Sequence, residues 1–135
     1  MPHVYLEQVR HKTQTVNPLF AFLGIEVDTI EPDRAVLRLP AKPELVQGAG
    51  MIAGGILATL LDEAMAHAVL AGNPQGTRTA TVNMDVRYLR PAQVHDTIIC
   101  EAHVVKRGSR IIFVEGIARV GDQEVARATA SFLPI

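Results

Sequence analysis

The sequence predicts an α+β domain in which an antiparallel sheet of five to six strands wraps around one long central helix, with short helices at the N-terminus. Three observations predict it. Gly50 to Gly72, GMIAGGILATLLDEAMAHAVLAG, is a glycine-bounded apolar segment with the periodicity of a helix. From Ile25 onward the segments on either side of it alternate with a period of two and are separated by turn-forming residues. Lastly, between Ile56 and Leu70 only Thr59, Asp62, Glu63 and His67 are strongly polar, and at about 100° per residue they share one sector of the wheel. A helix this apolar needs protein on most of its circumference, which a curled sheet supplies.

In chain order, residues 4 to 15 read as a weakly amphipathic helix, with Val4, Leu6 and Val9 among Glu7, Arg10 and Lys12. Residues 1–16 are an N-terminal helical extension of a single domain that spans 1–135. Asn17-Pro18 then supplies an N-cap and first turn for PLFAFL, which Gly24 stops. Leu19, Phe20, Phe22 and Leu23 are expected to cover one end of the core, or, in a functional reading, to line an acyl pocket. IEVDTI and AVLRL, joined at Pro32-Asp33, form a hairpin, and AKPELVQGAG is a loop leading into the central helix. After the turn cluster GNPQG, the strand TATVNMDVRYL is expected to place Ala80, Val82, Met84, Val86 and Tyr88 on one face and Thr81, Asn83, Asp85 and Arg87 on the other. Three more strands follow, TIICEAHVVKR, RIIFVEGIARV and QEVARATASFL, with turns at Gly108-Ser109 and Gly121-Asp122.

A chain of 135 residues, 48% hydrophobic and 20% charged, with mean hydropathy +0.19, is long enough to bury a core and apolar enough to hide surface in an oligomer. Its net charge of -1 gives no electrostatic case for nucleic acid. The apolar stretch, interrupted at Thr59 and Asp62, falls short of the ~18 unbroken residues of a membrane span, and the first dozen residues lack the apolar core of a signal peptide. No membrane role and a cytoplasmic location are therefore expected. The one cysteine, Cys100, sits in a strand and reads as a small buried apolar residue. There is no phosphate loop and no Cys/His pattern for a metal.

The order of elements, the Gly-Gly pair opening the helix, the acid that follows it and the later YLRPA together resemble the hotdog-fold thioesterases, specifically the PaaI-type branch, from about Asn17 to the C-terminus. That family carries an asparagine, a glycine three residues on, His-Gly-Gly, and then an aspartate or glutamate. This sequence holds Gln47, Gly50, Ala53-Gly54-Gly55 and Asp62 in those places, so the usual Asn is Gln47 and the usual His is Ala53. Gln47 keeps an amide for substrate; Ala53 can do no imidazole chemistry. The resemblance implies an acyl-CoA thioesterase, at least dimeric or a dimer of dimers, in which coenzyme A enters only as part of the substrate and no other cofactor is used. It further implies that two helices lie antiparallel, so that Asp62 of one subunit, as base or nucleophile, meets the glycine turn of the other.

The residue chemistry agrees. First-turn N–H groups have no intrahelical acceptor and sit at the positive end of the helix dipole, so the Gly55 N–H is the expected oxyanion donor and Gly54 lets a ligand approach. The plainer role of both glycines is close packing of helix and strand. Glu63 is the alternative acid, and its spacing to His67 suggests a Glu-His pair on one helical face. Thr81 lies where relatives often carry a Ser or Thr that holds the water, and is equally an ordinary strand residue. Arg90, Lys106 and Arg107, near strand ends, are candidate contacts for coenzyme A phosphates. Two other readings remain open at this level: a non-catalytic acyl-CoA-binding module, favoured by Ala53, and an enoyl-CoA hydratase-like protein using Asp62 and His67.

Overall fold

Alternating strands and one apolar helix fold here as the pattern demands. The computed structural model describes residues 2–135. Helices α1 (Pro2–Gln8) and α2 (Pro18–Leu23) precede the hairpin β1 (Glu26–Glu31) and β2 (Arg34–Pro40). A single 3-10 turn at Pro43–Leu45 leads to α3 (Gly54–Gly72), followed by β3 (Thr79–Tyr88), β4 (Thr97–Arg107), β5 (Ile112–Val120) and β6 (Gln123–Pro134). The six strands form one antiparallel sheet in the order β1-β2-β4-β5-β6-β3, and α3 packs along its concave face. This is the hotdog architecture.

The sheet accepts the helix closely because its inner face is lined with small residues. Ala102, Ala118, Ala126, Ala128 and Ala130 are buried there. At Gly116 a Cβ would stand 3.2 Å from Leu61 Cδ2 and 3.3 Å from Met65 Cγ, so a larger residue there requires those two side chains to give way by a few tenths of an ångström. Leu57, Leu60, Leu61, Ala64, Met65, Ala68 and Val69 of α3 are buried against this floor, each large aliphatic side chain contributing about 1.5 to 3 kcal/mol by its removal from water. The helix has the length and composition of a membrane span, but its apolar side is spent on the sheet. Cys100 is buried on the same floor, and burial pushes its thiol pKa up, as suits an inert packing residue.

Arg107 ties down the far end of α3. Its guanidinium donates to Asp33 Oδ1 at 2.6 Å, to Asn73 Oδ1 at 2.6 Å and to the Val69 carbonyl at 2.9 Å. A cation at a helix C-terminus meets carbonyls that have no intrahelical donor. Gly72 leaves the room for the pair, since a Cβ there would collide with both Asp33 and Arg107.

Four expectations need correction. The central helix begins at Gly54, not Gly50, because Gly50 has φ +89°, outside the right-handed helical region, and closes a tight turn through N–H bonds from Gly50 to Gln47 O and from Gln47 to Met51 O. The N-terminal helix stops at Gln8; beyond it the chain turns, and Gln14 locks onto the Asn17 backbone with bonds of 2.8 and 3.1 Å before Pro18. In α2 only Phe20 and Leu23 are buried, whereas Leu19 and Phe22 face solvent, since a six-residue helix turns one i, i+3 face inward.

The fourth correction matters for the site. The register between β3 and β6 slips between Thr81 and Asn83, a bulge centred on Val82. Thr81 pairs with inward Phe132, and Met84, Val86 and Tyr88 pair with inward Ala130, Ala128 and Ala126. Thr81 therefore shares the helix-facing side with Met84, Val86 and Tyr88, while Ala80, opposite exposed Leu133, faces outward.

Candidate functional site

Two groups of candidate residues lie on α3, one at its start and one two turns on. At the start, Ala53 is the N-cap residue, with extended backbone and no side-chain cap. A Ser, Thr, Asp or Asn there would satisfy a first-turn N–H with its side chain; with alanine, the Ile56 N–H bonds the Ala53 carbonyl at 3.0 Å and the Gly54 and Gly55 N–H groups are left bare. Gly55 is exposed, and the space where its Cβ would stand is open. Beside this turn lies a groove of about 340 Å³ lined by Gln47, Met51, Ile52, Gly54, Leu57, Tyr88, Leu89, Arg90 and Pro91. Its walls are mostly apolar, with the backbone of the helix start and the guanidinium of Arg90 at its rim.

In the second group the Thr81 hydroxyl donates to Asp62 Oδ1 at 2.8 Å. The bulge at Val82 makes this contact possible, because strict alternation would point Thr81 away from the helix. β3 is an edge strand, so the carboxylate and hydroxyl stand at the open margin of the sheet. Glu63, the next residue, is only partly exposed; burial, and secondarily the Asp62 carboxylate, push its pKa up to about 7. Seven residues separate Gly55 from Asp62, roughly 10 Å at ~1.5 Å per residue, too far for both to act on one carbonyl.

The structure thus brings Gln47, Gly54 and Arg90 together around the groove, with Gly55 adjoining, and sets Asp62 with Thr81 apart from them. Lys106 is exposed on β4, outside the groove's lining. Arg107 is corrected: its donors are committed to Asp33, Asn73 and Val69 at the opposite end of α3 from the Gly-Gly turn. The Glu63-His67 side-chain pair is corrected too. His67 is buried, its Nδ1 lies 2.6 Å from the Glu63 carbonyl oxygen and its Nε2 2.7 Å from the Tyr5 hydroxyl, which accepts from Asn17 Nδ2 at 2.8 Å. Burial lowers the His67 pKa, so the ring is held neutral. With both nitrogens occupied by protein, His67 has no free lone pair or proton for a substrate. Among the described residues no group of three or more His, Cys, Asp or Glu side chains is arranged to hold a metal ion.

Sequence reasoning missed Tyr88 as part of the site, together with the apolar walls Met51, Ile52, Leu57, Leu89 and Pro91. Tyr88 opens the YLRPA motif, and its place as the last inward residue of β3 was the available signal.

A helix start with bare amides, an apolar groove beside it and a carboxylate two turns along the same helix suit acyl transfer, and the comparisons with known proteins name the family. Residues 49–127 match the thioesterase superfamily. The chain belongs to that superfamily. Thioester hydrolysis is its class of reaction, and the protein is a thioesterase. A Halobacterium salinarum protein provisionally named an esterase is 36% identical over 107 residues, 76% of this chain and 67% of its own length. Human acyl-coenzyme A thioesterase 13 is 29% identical over 82 residues, 61% of this chain; the match spans 58% of that protein, under two thirds of its length. Among solved structures, a thioesterase family protein from Silicibacter pomeroyi superposes with a TM-score of 0.85 at 30% identity, covering 97% of this chain and 98% of its own. The E. coli PaaI protein from the phenylacetic acid degradation operon shares the fold, with a TM-score of 0.83 at 22% identity over 98% of this chain and 89% of its own.

Proposed function

We propose that this thioesterase hydrolyses acyl-CoA thioesters at sites shared between two antiparallel copies, the Gly55 N–H of one subunit holding the thioester oxygen and Asp62 of the other driving the attack. The observation that carries the reading is the separation of two incomplete half-sites on one helix: bare amides at Gly54-Gly55, and a carboxylate hydrogen-bonded to Thr81 some two turns away at an unpaired sheet edge. An antiparallel partner would bring each half-site to the other's missing piece.

In the reaction, water adds to the thioester carbonyl as Asp62 takes its proton, and the tetrahedral oxyanion accepts from Gly55 N–H. The C–S bond then breaks, and the departing thiolate recovers the proton from the Asp62 carboxylic acid. If Asp62 attacks directly, a mixed anhydride forms with loss of thiolate, and water then hydrolyses it. Single turnover in 18O-water that leaves label in Asp62 identifies an anhydride hydrolysed at the aspartyl carbonyl, since general-base hydrolysis puts label in the product acid alone. Thr81 fixes the carboxylate, and the Gln47 amide and Arg90 orient the acyl and CoA portions. The chemistry as written uses no metal or redox group. The family match and the sequestration of His67 favour hydrolysis over hydration of an enoyl-CoA.

The test is a panel of short, aryl and medium acyl-CoAs under thiol detection. Asp62→Asn is expected to lose roughly 10²-fold or more in kcat, as loss of a general base does, and Glu63→Gln little. Mixing Asp62→Asn with Gly55→Pro subunits tests the shared site. Proline is tolerated in a first helical turn and removes the N–H. With random pairing half the dimers are mixed and each has one intact site, so roughly a quarter of parental activity returns. No recovery from dimers shown to exchange subunits would refute the arrangement.

A further inference from the structure

Resting on the assignment of Gly55 N–H as the oxyanion donor, we propose that Tyr88 is a positioning residue that orients and polarises that donor. The Gly54 carbonyl and the Gly55 N–H belong to one planar peptide unit. The Tyr88 hydroxyl donates to the Gly54 carbonyl oxygen at 2.9 Å. Its ring lies flush against the same residue, with Cε1 and Cζ each 3.3 Å from where a Gly54 Cβ would stand. One side chain thus grips this peptide at both its oxygen and its α-carbon.

The consequences follow from the geometry of an amide. A donor on the carbonyl oxygen draws charge through the π system and makes the N–H of the same unit a stronger donor, the cooperative strengthening found in hydrogen-bonded chains. Fixing the oxygen also fixes the plane, and hence the direction of the N–H bond, and an oxyanion site works by donors aimed in advance. This fastening has a reason to exist here. Helix starts fray, and Ala53 offers no side-chain cap to hold this one. Tyr88 reaches the turn because the regular alternation from Met84 through Val86 keeps it on the helix-facing side of β3. The Gly54 carbonyl, first in α3, also accepts the ordinary helical bond from four residues on, using its second lone pair. Loss of the phenol hydroxyl therefore leaves no orphaned acceptor, and the change acts on the donor more than on the fold.

The experiment compares the parent, Asp62→Asn, Tyr88→Phe, and protein carrying 3-fluorotyrosine at position 88, on acyl-CoAs from acetyl to decanoyl and on benzoyl-CoA. Tyr88→Phe is expected to lower kcat about five- to tenfold, the worth of one neutral hydrogen bond, with KM within about twofold and an unchanged melting temperature. The 15N resonance of the Gly55 amide should move upfield when the hydroxyl is removed. The more acidic fluorotyrosine should give a kcat at or above the parent's and move that resonance downfield. Unchanged kcat and an unmoved Gly55 resonance in Tyr88→Phe, with Asp62→Asn inactive, would overturn the role of Tyr88 and leave the proposed function standing. If Asp62→Asn were as active as the parent, the proposed function would fail first, and this inference with it. Should Tyr88→Phe not fold, the fluorotyrosine protein decides alone: a Gly55 resonance and kcat identical to the parent's overturn the inference.

Discussion

Replacing Glu63 by glutamine should change how stability depends on pH, and the direction is fixed by its surroundings. Burial and the adjacent Asp62 raise the Glu63 pKa from the ordinary 4.5 to about 7. Between these values the folded protein holds a proton that the unfolded chain has released, so folding stability falls as pH rises through that window and is level above it. At 1.36 kcal/mol per unit, the full shift corresponds to about 3 kcal/mol; partial exposure of the carboxylate places the expected loss at about 1 to 3 kcal/mol. His67 acts the other way. Its pKa is lowered by burial, so the unfolded chain binds a proton the folded one refuses, and stability falls as pH drops below the ordinary 6.5. In the parent the two slopes oppose one another over pH 4.5 to 6.5. In Glu63→Gln the His67 slope stands alone: stability rises with pH to about 6.5 and then levels off. Urea unfolding of both proteins from pH 4 to 8, at one fixed protein concentration, gives the difference curve. It should be near constant below pH 4.5 and favour the glutamine variant increasingly up to pH 7. A difference that stays flat from pH 4 to 8 would refute the burial argument.

Other substitutions test separate parts of the structure. Arg107→Ala should cost about 1 to 3 kcal/mol in urea unfolding, by leaving the Asp33 carboxylate and the end of α3 without their donors, while changing KM for acyl-CoA less than about twofold; a large rise in KM with stability intact would restore it as a substrate contact. Leu61→Ala removes a fully buried side chain and should lower stability by about 2 to 5 kcal/mol, checked by the same unfolding curves. Thr81→Val keeps the strand shape and deletes the bond to Asp62; kcat should fall about tenfold, and steady-state assays with KM unchanged would bear that out.

Much of the fold was legible because it is written in local periodicities. The six strands, the apolar helix and the cap at Asn17 each follow from patterns a few residues long, and the Asn17 side chain does accept from the Phe20 N–H at 3.1 Å. What escaped was set by partners distant in the chain. Period-two alternation assigns Thr81 to the wrong face, because a bulge appears only when β3 is paired with β6. Arg107 looked like a free cation near a strand end, yet the fold carries it to the tip of a helix 34 residues earlier. His67 and Glu63 have the spacing of a helical pair, but Tyr5, 62 residues away, claims the imidazole. The glycine-to-acid spacing marked Gly54-Gly55 and Asp62 as candidates from the sequence alone. The hydroxyl on Gly54 went unmarked, because nothing in a linear pattern says that the last residue of β3 ends beside the first residue of α3.

The alanine-lined trough with Gly116 at its base carries a consequence for how such a protein can change. A side chain added there presses on Leu61 Cδ2 and Met65 Cγ, which must yield by a few tenths of an ångström before it can be seated. Residues of the floor thereby limit what can lie beneath α3, whereas Met51 and Leu89 line the groove outside that floor, where side-chain volume can be exchanged without pressing on the helix from below.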